Sequence, residues 1–319
     1  MLPCYSRRDE RFASLPGSWT ASPHKSLASY WNLSCPMEWS KYSCEHQGAH
    51  AHAEHSQKLT FVPSGCSLPD VGSQSYALPR GRRIVFNGDS LIRQIFIAFA
   101  CLMSWHVKSY VPKWQQCGCS APCQPTNMQS WPCHGTLNCI ECGPHSGFET
   151  ASVILENGCS LYFGDVGKPL STDVYIVETG VHGNRPRDMA NARLRGLVTN
   201  LLRANSTVVW LITPQDAFKS ASGNGVYNAT FLAHGASQTK ICVKSTPAIR
   251  SAGEWQALHN ETNISSKLAG VVELDGLNDQ GDAKIGGGVG THGDCQHYCM
   301  PGVPDILARA VSAMLRAVL

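Results

Sequence analysis

The chain has 319 residues, 43% of them hydrophobic, which is enough to bury a full core and excludes a mostly disordered chain. Twenty-six basic residues against 23 acidic ones leave a net charge of +3, and no dense Lys/Arg stripe appears, so no nucleic-acid partner is expected. The departure from ordinary composition is fifteen cysteines, an odd number.

Cysteines in that number point to disulfides in an oxidising compartment. Five N-x-[ST] glycosylation acceptors, beginning at Asn32, Asn205, Asn228, Asn260 and Asn263, point the same way. Residues 1–12 hold no apolar run, so neither a signal peptide nor an anchor is read there. The longest apolar stretch, residues 95–103, is too short to cross a bilayer. The expectation is the lumenal part of a longer or misannotated product, associated with a membrane only if an N-terminal anchor is missing from this sequence; the reading left open beside it is a cytosolic chain whose thiols bind metal.

In chain order, residues 1–80 are rich in Ser, Pro, Trp, Cys and His and read as a cysteine-containing N-terminal lobe. From Gly81 the pattern becomes strand, helix, strand, as in α/β proteins, so residues 81–319 read as a catalytic domain around a mainly parallel sheet. Arg83-Ile-Val-Phe-Asn87 is a buried strand, followed at once by a helix with Leu91, Ile95, Phe96, Phe99, Leu102 and Met103 on one broad face. A cysteine-rich insert at 113–148 has no core of its own, so disulfides or a metal must staple it. Strands at 153–155 and 161–163 flank Asn157-Gly158, a hairpin signal. Further strands follow at 173–179, 207–213 and 271–274, with an Arg-rich helix near 187–204. The last helix repeats Val303, Ile306, Leu307, Ala310, Val311, Met314, Leu315 and Val318 at helical spacing. Pro304 suits its first turn and Asp305 the positive end of its dipole.

Two short blocks carry chemistry. Gly88-Asp89-Ser90 lies where strand passes into helix, which exposes the serine hydroxyl at the carboxyl edge of the sheet beside a helix N-terminus. Asp294-Cys-Gln-His297 precedes the final helix. In a turn, a carboxylate three residues before a histidine bends back onto one ring nitrogen, which leaves the other to take a serine proton. The bland readings are an N-cap at the first block and a structural histidine at the second. The order Ser, Asp, His is that of α/β-hydrolases.

Together, Gly88-Asp89-Ser90-Leu-Ile-Arg93-Gln94 and Asp294-Cys-Gln-His297-Tyr-Cys299-Met-Pro301-Gly302-Val303-Pro304-Asp305 resemble the trichome birefringence-like family of plant and algal cell-wall polysaccharide O-acetyltransferases, or PC-esterases. The N-terminal residues Cys4, Phe12, Gly17 and Trp19, and the run from Phe61 to Pro69, are similar to further family segments. The resemblance implies an SGNH-hydrolase-like three-layer fold. It makes Ser90 the nucleophile, His297 the general base and Asp294 its orienting carboxylate, with Gly180, Asn184 and Arg93 at the oxyanion and substrate site. It implies a Golgi-lumenal enzyme with a polysaccharide acceptor, an acetyl donor such as acetyl-CoA as co-substrate, and no resident cofactor. The sequence departs from the family at Gln94 (for Asn), Tyr298 (for Trp), Met300 (for Leu) and Lys284, where the family has His. The readings left open are an acetyl esterase of the same fold and a non-catalytic carbohydrate-binding protein.

Cys139-x-x-Cys142 with Cys119, Cys123, His134 or His145 has zinc-like spacing, but disulfides are the simpler reading in a secretory protein and no metal is expected. His46, His50, His52 and His55 read as a solvated loop. Trp114, Trp131 and Trp255 are equally suited to stacking on sugars and to burial. Cys295 and Cys299 flank His297, so disulfides are expected to hold that turn in place. Cys101, on the apolar nucleophile helix, is expected to be the unpaired thiol.

Overall fold

The structure, a computed structural model, describes residues 2–21, 59–69, 78–88, 90–103, 106–114, 148–164, 168–178, 196–212, 217–220, 241–244, 267–275, 277, 297–300 and 302–319. The strands in chain order are β1 (Leu2–Pro3), β2 (Leu15–Ala21), β3 (Leu59–Pro63), β4 (Cys66–Ser67), β5 (Arg83–Asn87), β6 (Val107–Trp114) and β7 (Phe148–Leu155). They continue with β8 (Ser160–Phe163), β9 (Asp173–Val177), β10 (Thr207–Leu211), β11 (Ala217–Ser220), β12 (Ile241–Lys244), β13 (Gly270–Val272) and β14 (Leu274–Asp275). Helix α1 is Ser90–Leu102 and α2 is Val303–Val318; residues 196–203 are also helical.

Seven strands form the central sheet in the order β13-β10-β9-β5-β8-β7-β6. From β13 to β8 all neighbours run parallel, while β7 and β6 are antiparallel additions at one edge. β5, β9 and β10 each open on a polar residue and are apolar through their middle, where both faces are covered. Their side chains alternate between two cores. Ile84, Phe86, Val174, Ile176, Val209 and Leu211 meet α1 and α2 on one face. Val85, Tyr175, Val177, Val208 and Trp210 meet Val198 and Leu201 of the 196–203 helix on the other. The result is a three-layer α/β arrangement, with α1 packed against α2.

The elements expected at β5, α1, β9, β10 and α2 all form. The Asn157-Gly158 hairpin forms as well: β7 and β8 pair antiparallel, Gly158 takes φ +79°, and Asn157 Oδ1 accepts a hydrogen bond from the Cys159 amide at 2.9 Å. The strand expected at 271–274 is two pieces. β13 completes the central sheet, while β14 leaves it to pair with β2. Edge strand β6, with Pro112 in it, has no counterpart in the sequence reading; a proline is tolerated there because an edge leaves one row of amides unpaired. β6 and β7 pair as far as Trp114↔Phe148, so residues 115–147, the body of the cysteine-rich insert, join the two arms of this edge hairpin. The insert itself lies outside the described residues, as do the His-rich loop, Trp131 and Trp255.

At the amino edge of the parallel strands Arg83 and Asp173 stand opposite each other in register. The guanidinium donates from Nε to Asp173 Oδ1 at 2.8 Å and from Nη2 to Oδ2, and the Leu170 amide donates to the same Oδ2 at 2.7 Å. The Asp173 hydrogen bond is the largest cause raising the Arg83 pKa above its ordinary value.

The N-terminal strands share the central core: Cys4, Tyr5, Leu15, Phe61, Cys66 and Leu68 belong to the cluster that includes α1 and α2. Cys4 is bonded to Cys66. Gly17 is required because a methyl group there would lie 2.8 Å from the Val62 carbonyl oxygen and 2.4 Å from the Phe61 ring. Trp19 packs edge-on against Phe61 and donates from Nε1 to the Leu277 carbonyl at 3.2 Å. Arg309 of α2 donates from Nε to the Pro69 carbonyl at 2.7 Å.

Candidate active site

The strand order places Ser90. After β5 the chain passes through α1 toward β8 on one side, whereas β9, β10 and β13 extend the sheet on the other. The order therefore reverses at β5, and in open parallel sheets the crevice at the carboxyl ends beside such a reversal is the usual ligand site. β5 ends at Asn87, and α1 begins at Ser90, three residues later. Ser90 is thus the first residue of a thirteen-residue helix whose unpaired N–H groups and dipole favour developing negative charge. Its Oγ, expected from the sequence to be exposed, is instead sheltered from solvent and makes no hydrogen bond with any described residue, His297 included. Without substrate, hydrogen bonds between a catalytic serine and histidine are often long or poorly aligned.

His297 reaches this edge through its neighbour. Gln94, completely buried in α1, donates from Nε2 to the Tyr298 carbonyl at 2.8 Å and accepts the Tyr298 amide on Oε1 at 3.1 Å. Ser90 and Gln94 are four residues apart and lie on one face of the helix. Tyr298 is therefore fixed to the first turns of α1, and His297, one residue before it, is half-buried with Nε2 out of solvent. Beyond the turn, Tyr298, Cys299 and Met300 are buried. Asp305 then accepts the Gly302 amide at 2.7 Å and closes the N-terminus of α2, as its place in the sequence implies.

Both Cys101, on α1, and Cys299, two residues after His297, are disulfide-bonded. The bonded Cys299 agrees with a turn held by disulfides. Cys101 corrects the sequence expectation: it is not the unpaired thiol. An apolar helix face hides a cystine as readily as a thiol, so position on that face does not discriminate. The free cysteine among the described residues is Cys159, at the end of the β7–β8 turn, where burial pushes the thiol pKa up to about 11.

One carboxylate escaped the sequence reading. Glu178 follows β9, is buried, and donates its amide to the Asn87 carbonyl at 3.1 Å. Its Oε2 lies where a side chain at position 88 would be, since a methyl group on Gly88 would stand 2.8 Å from it and 2.8 Å from Ile92 Cγ2. The glycine of Gly88-Asp89-Ser90 thus makes room for a buried carboxylate at the site. The signal was an acidic residue directly after the apolar run 174–177. Arg93, one turn along from Ser90, is half-buried. Asp294, Gly180 and Asn184 lie outside the described residues, as does Asp89.

The class defined so far is a three-layer α/β protein with a sheltered serine at the carboxyl edge of a parallel sheet and a histidine turn fastened to the same helix. By sequence the chain is similar to trichome birefringence-like proteins, in agreement with the resemblance read from its motifs. It is 33% identical to Protein trichome birefringence-like 36 of Arabidopsis thaliana over 98 residues, which cover 30% of this chain and 24% of that protein. It is 43% identical over 53 residues to Protein trichome birefringence-like 1 and to Protein trichome birefringence of the same plant, covering 16% of this chain and about a tenth of each relative. The chain therefore matches no more than about a quarter of the length of these curated relatives. No protein-family model and no solved structure matches it. Among the described residues no helix is long and apolar enough to cross a membrane.

Proposed function

We propose that this chain is a serine O-acetyltransferase of SGNH-hydrolase-like fold, working in the Golgi lumen on hydroxyls of a cell-wall or extracellular polysaccharide. The observation that carries the reading is the placement of Ser90 at the strand reversal, with the His297 turn bound to its own helix. Ser90 Oγ attacks the acetyl carbonyl of the donor, such as acetyl-CoA, while His297, oriented by Asp294, takes the hydroxyl proton. The proton passes to the departing donor group, which leaves the acetyl ester on Ser90. A sugar hydroxyl then attacks that ester and gives its proton to His297, and the serine recovers its own as the acetylated glycan departs. The backbone N–H of Ser90 with groups at Gly180 and Asn184 holds the oxyanion, each donor contributing about 3–4 kcal/mol. Arg93 serves the substrate side of the site.

The test is the product. Incubation with an acetyl donor and xylan is expected to yield acetylated glycan. Free acetate alone makes the protein an acetyl esterase, and glycan binding that survives loss of Ser90 without any turnover makes it a carbohydrate-binding protein.

A further inference from the structure

The chemistry proposed above needs a histidine held within reach of Ser90, and the pair of hydrogen bonds from Gln94 bears on that need. An amide that accepts a peptide N–H and donates to the same residue's C=O holds that residue as a neighbouring strand would, in both position and orientation. The contact is fully buried, so an apolar side chain of the same size leaves both Tyr298 peptide groups without these bonds and out of water. Helical side chains lean toward the N-terminus, so the Gln94 amide lies over the turn that begins with Ser90. The peptide it grips belongs to the residue immediately after His297. Two structural units 204 residues apart in sequence are thereby registered at the one place where the serine and the histidine must meet.

We infer that Gln94 is a positioning residue: its amide sets the distance of the His297 imidazole from Ser90 Oγ through the Tyr298 peptide. The inference rests on the serine–histidine reading. A misplacement of about 1 Å at a reacting pair costs on the order of 100-fold in rate, so a side chain that never touches substrate still governs turnover.

A fluorophosphonate that labels activated serines tests it on the full chain. In that step the Ser90 oxygen–phosphorus bond forms, fluoride leaves, and the serine proton goes to His297. Gln94→Met keeps the side chain's length and volume but loses both hydrogen bonds. It is expected to lower the maximal labelling rate by about 10- to 100-fold with the half-saturating probe concentration unchanged, because the probe still binds and only the attack is impaired. Gln94→Glu adds a signature that a merely structural role does not give. Its protonated carboxyl both accepts from the Tyr298 amide and donates to the Tyr298 carbonyl, whereas the ionised form only accepts. Its labelling rate relative to wild type is therefore expected to rise as pH falls through the carboxyl titration.

Labelling of a folded Gln94→Met within about twofold of wild type, while Ser90→Ala and His297→Ala fail to label, overturns the positioning role and leaves the serine–histidine reading standing. Should Gln94→Met not fold, the Gln94→Glu ratio decides: a ratio independent of pH overturns the inference. Wild-type labelling by His297→Ala removes the reading beneath it, and the inference with it.

Discussion

The two edges of the central sheet are built on opposite rules. At the amino edge a buried carboxylate is fully paired: Asp173 receives two bonds from Arg83 and one from the Leu170 amide, and Arg83 also donates to the Lys168 carbonyl at 3.2 Å. Ser206 closes the same region by donating to the Leu170 carbonyl at 2.8 Å. At the carboxyl edge Ser90 Oγ is sheltered yet unbonded among the described residues, a buried carboxylate at Glu178 crowds Gly88, and the histidine turn is held from behind by Gln94. A satisfied buried network adds rigidity, whereas a buried hydroxyl without a hydrogen bond costs stability. On the reading proposed above, the amino end of the strands serves stability and the carboxyl end serves function.

Substitutions at the two edges should therefore move different observables. The largest effect is expected from Ser90→Ala, which should lower acetyl transfer by about 10⁴-fold or more while shifting the thermal midpoint by only about a degree. An equal loss of stability would place Ser90 with the scaffold. At the opposite edge, Arg83→Met leaves Asp173 buried without its cation and should cost about 3–5 kcal/mol in chemical denaturation, with turnover per folded molecule unchanged. A fall in turnover of the folded fraction would break the division between the edges. Cys4→Ser opens a loop of 62 residues and should cost about 4 kcal/mol by the chain-entropy estimate, again with little effect on folded activity.

The smallest effect concerns Cys159. With its thiol pKa near 11, only about a thousandth is thiolate at pH 8, so iodoacetamide should modify it in the unfolded but not the native protein. Because folding raises this pKa from 9.0, the thiol's contribution to stability is present below about pH 9 and is lost as pH rises toward 11. Rapid native alkylation at pH 8 would contradict that burial.

Much of this was legible because some elements carry their whole cause locally. β5, β9 and β10 each carry an apolar run behind a polar first residue, and α2 repeats its apolar positions over sixteen residues with Asp305 to close its first turn. Ser90 and His297 stood out because each sits at a junction of strand or turn with helix. What escaped depends on partners far along the chain. β2 exists by pairing with β3 and β14, and the meaning of Gly17 lies in Phe61 and Val62. Gln94 registered only as a departure from a family motif, because its value comes from a peptide 204 residues away. Cys101 was misjudged for the same reason: pairing is a property of two positions, and periodicity describes one.

The central claim is that Ser90 carries the acetyl group between donor and acceptor. Peptide mass spectrometry on the wild-type protein, quenched in acid after brief exposure to an acetyl donor without glycan, tests it directly. The expected result is an acetyl ester on the oxygen of Ser90 that disappears when a glycan acceptor is added. Turnover with Ser90 unmodified, or acetyl found stably on another residue, would contradict it.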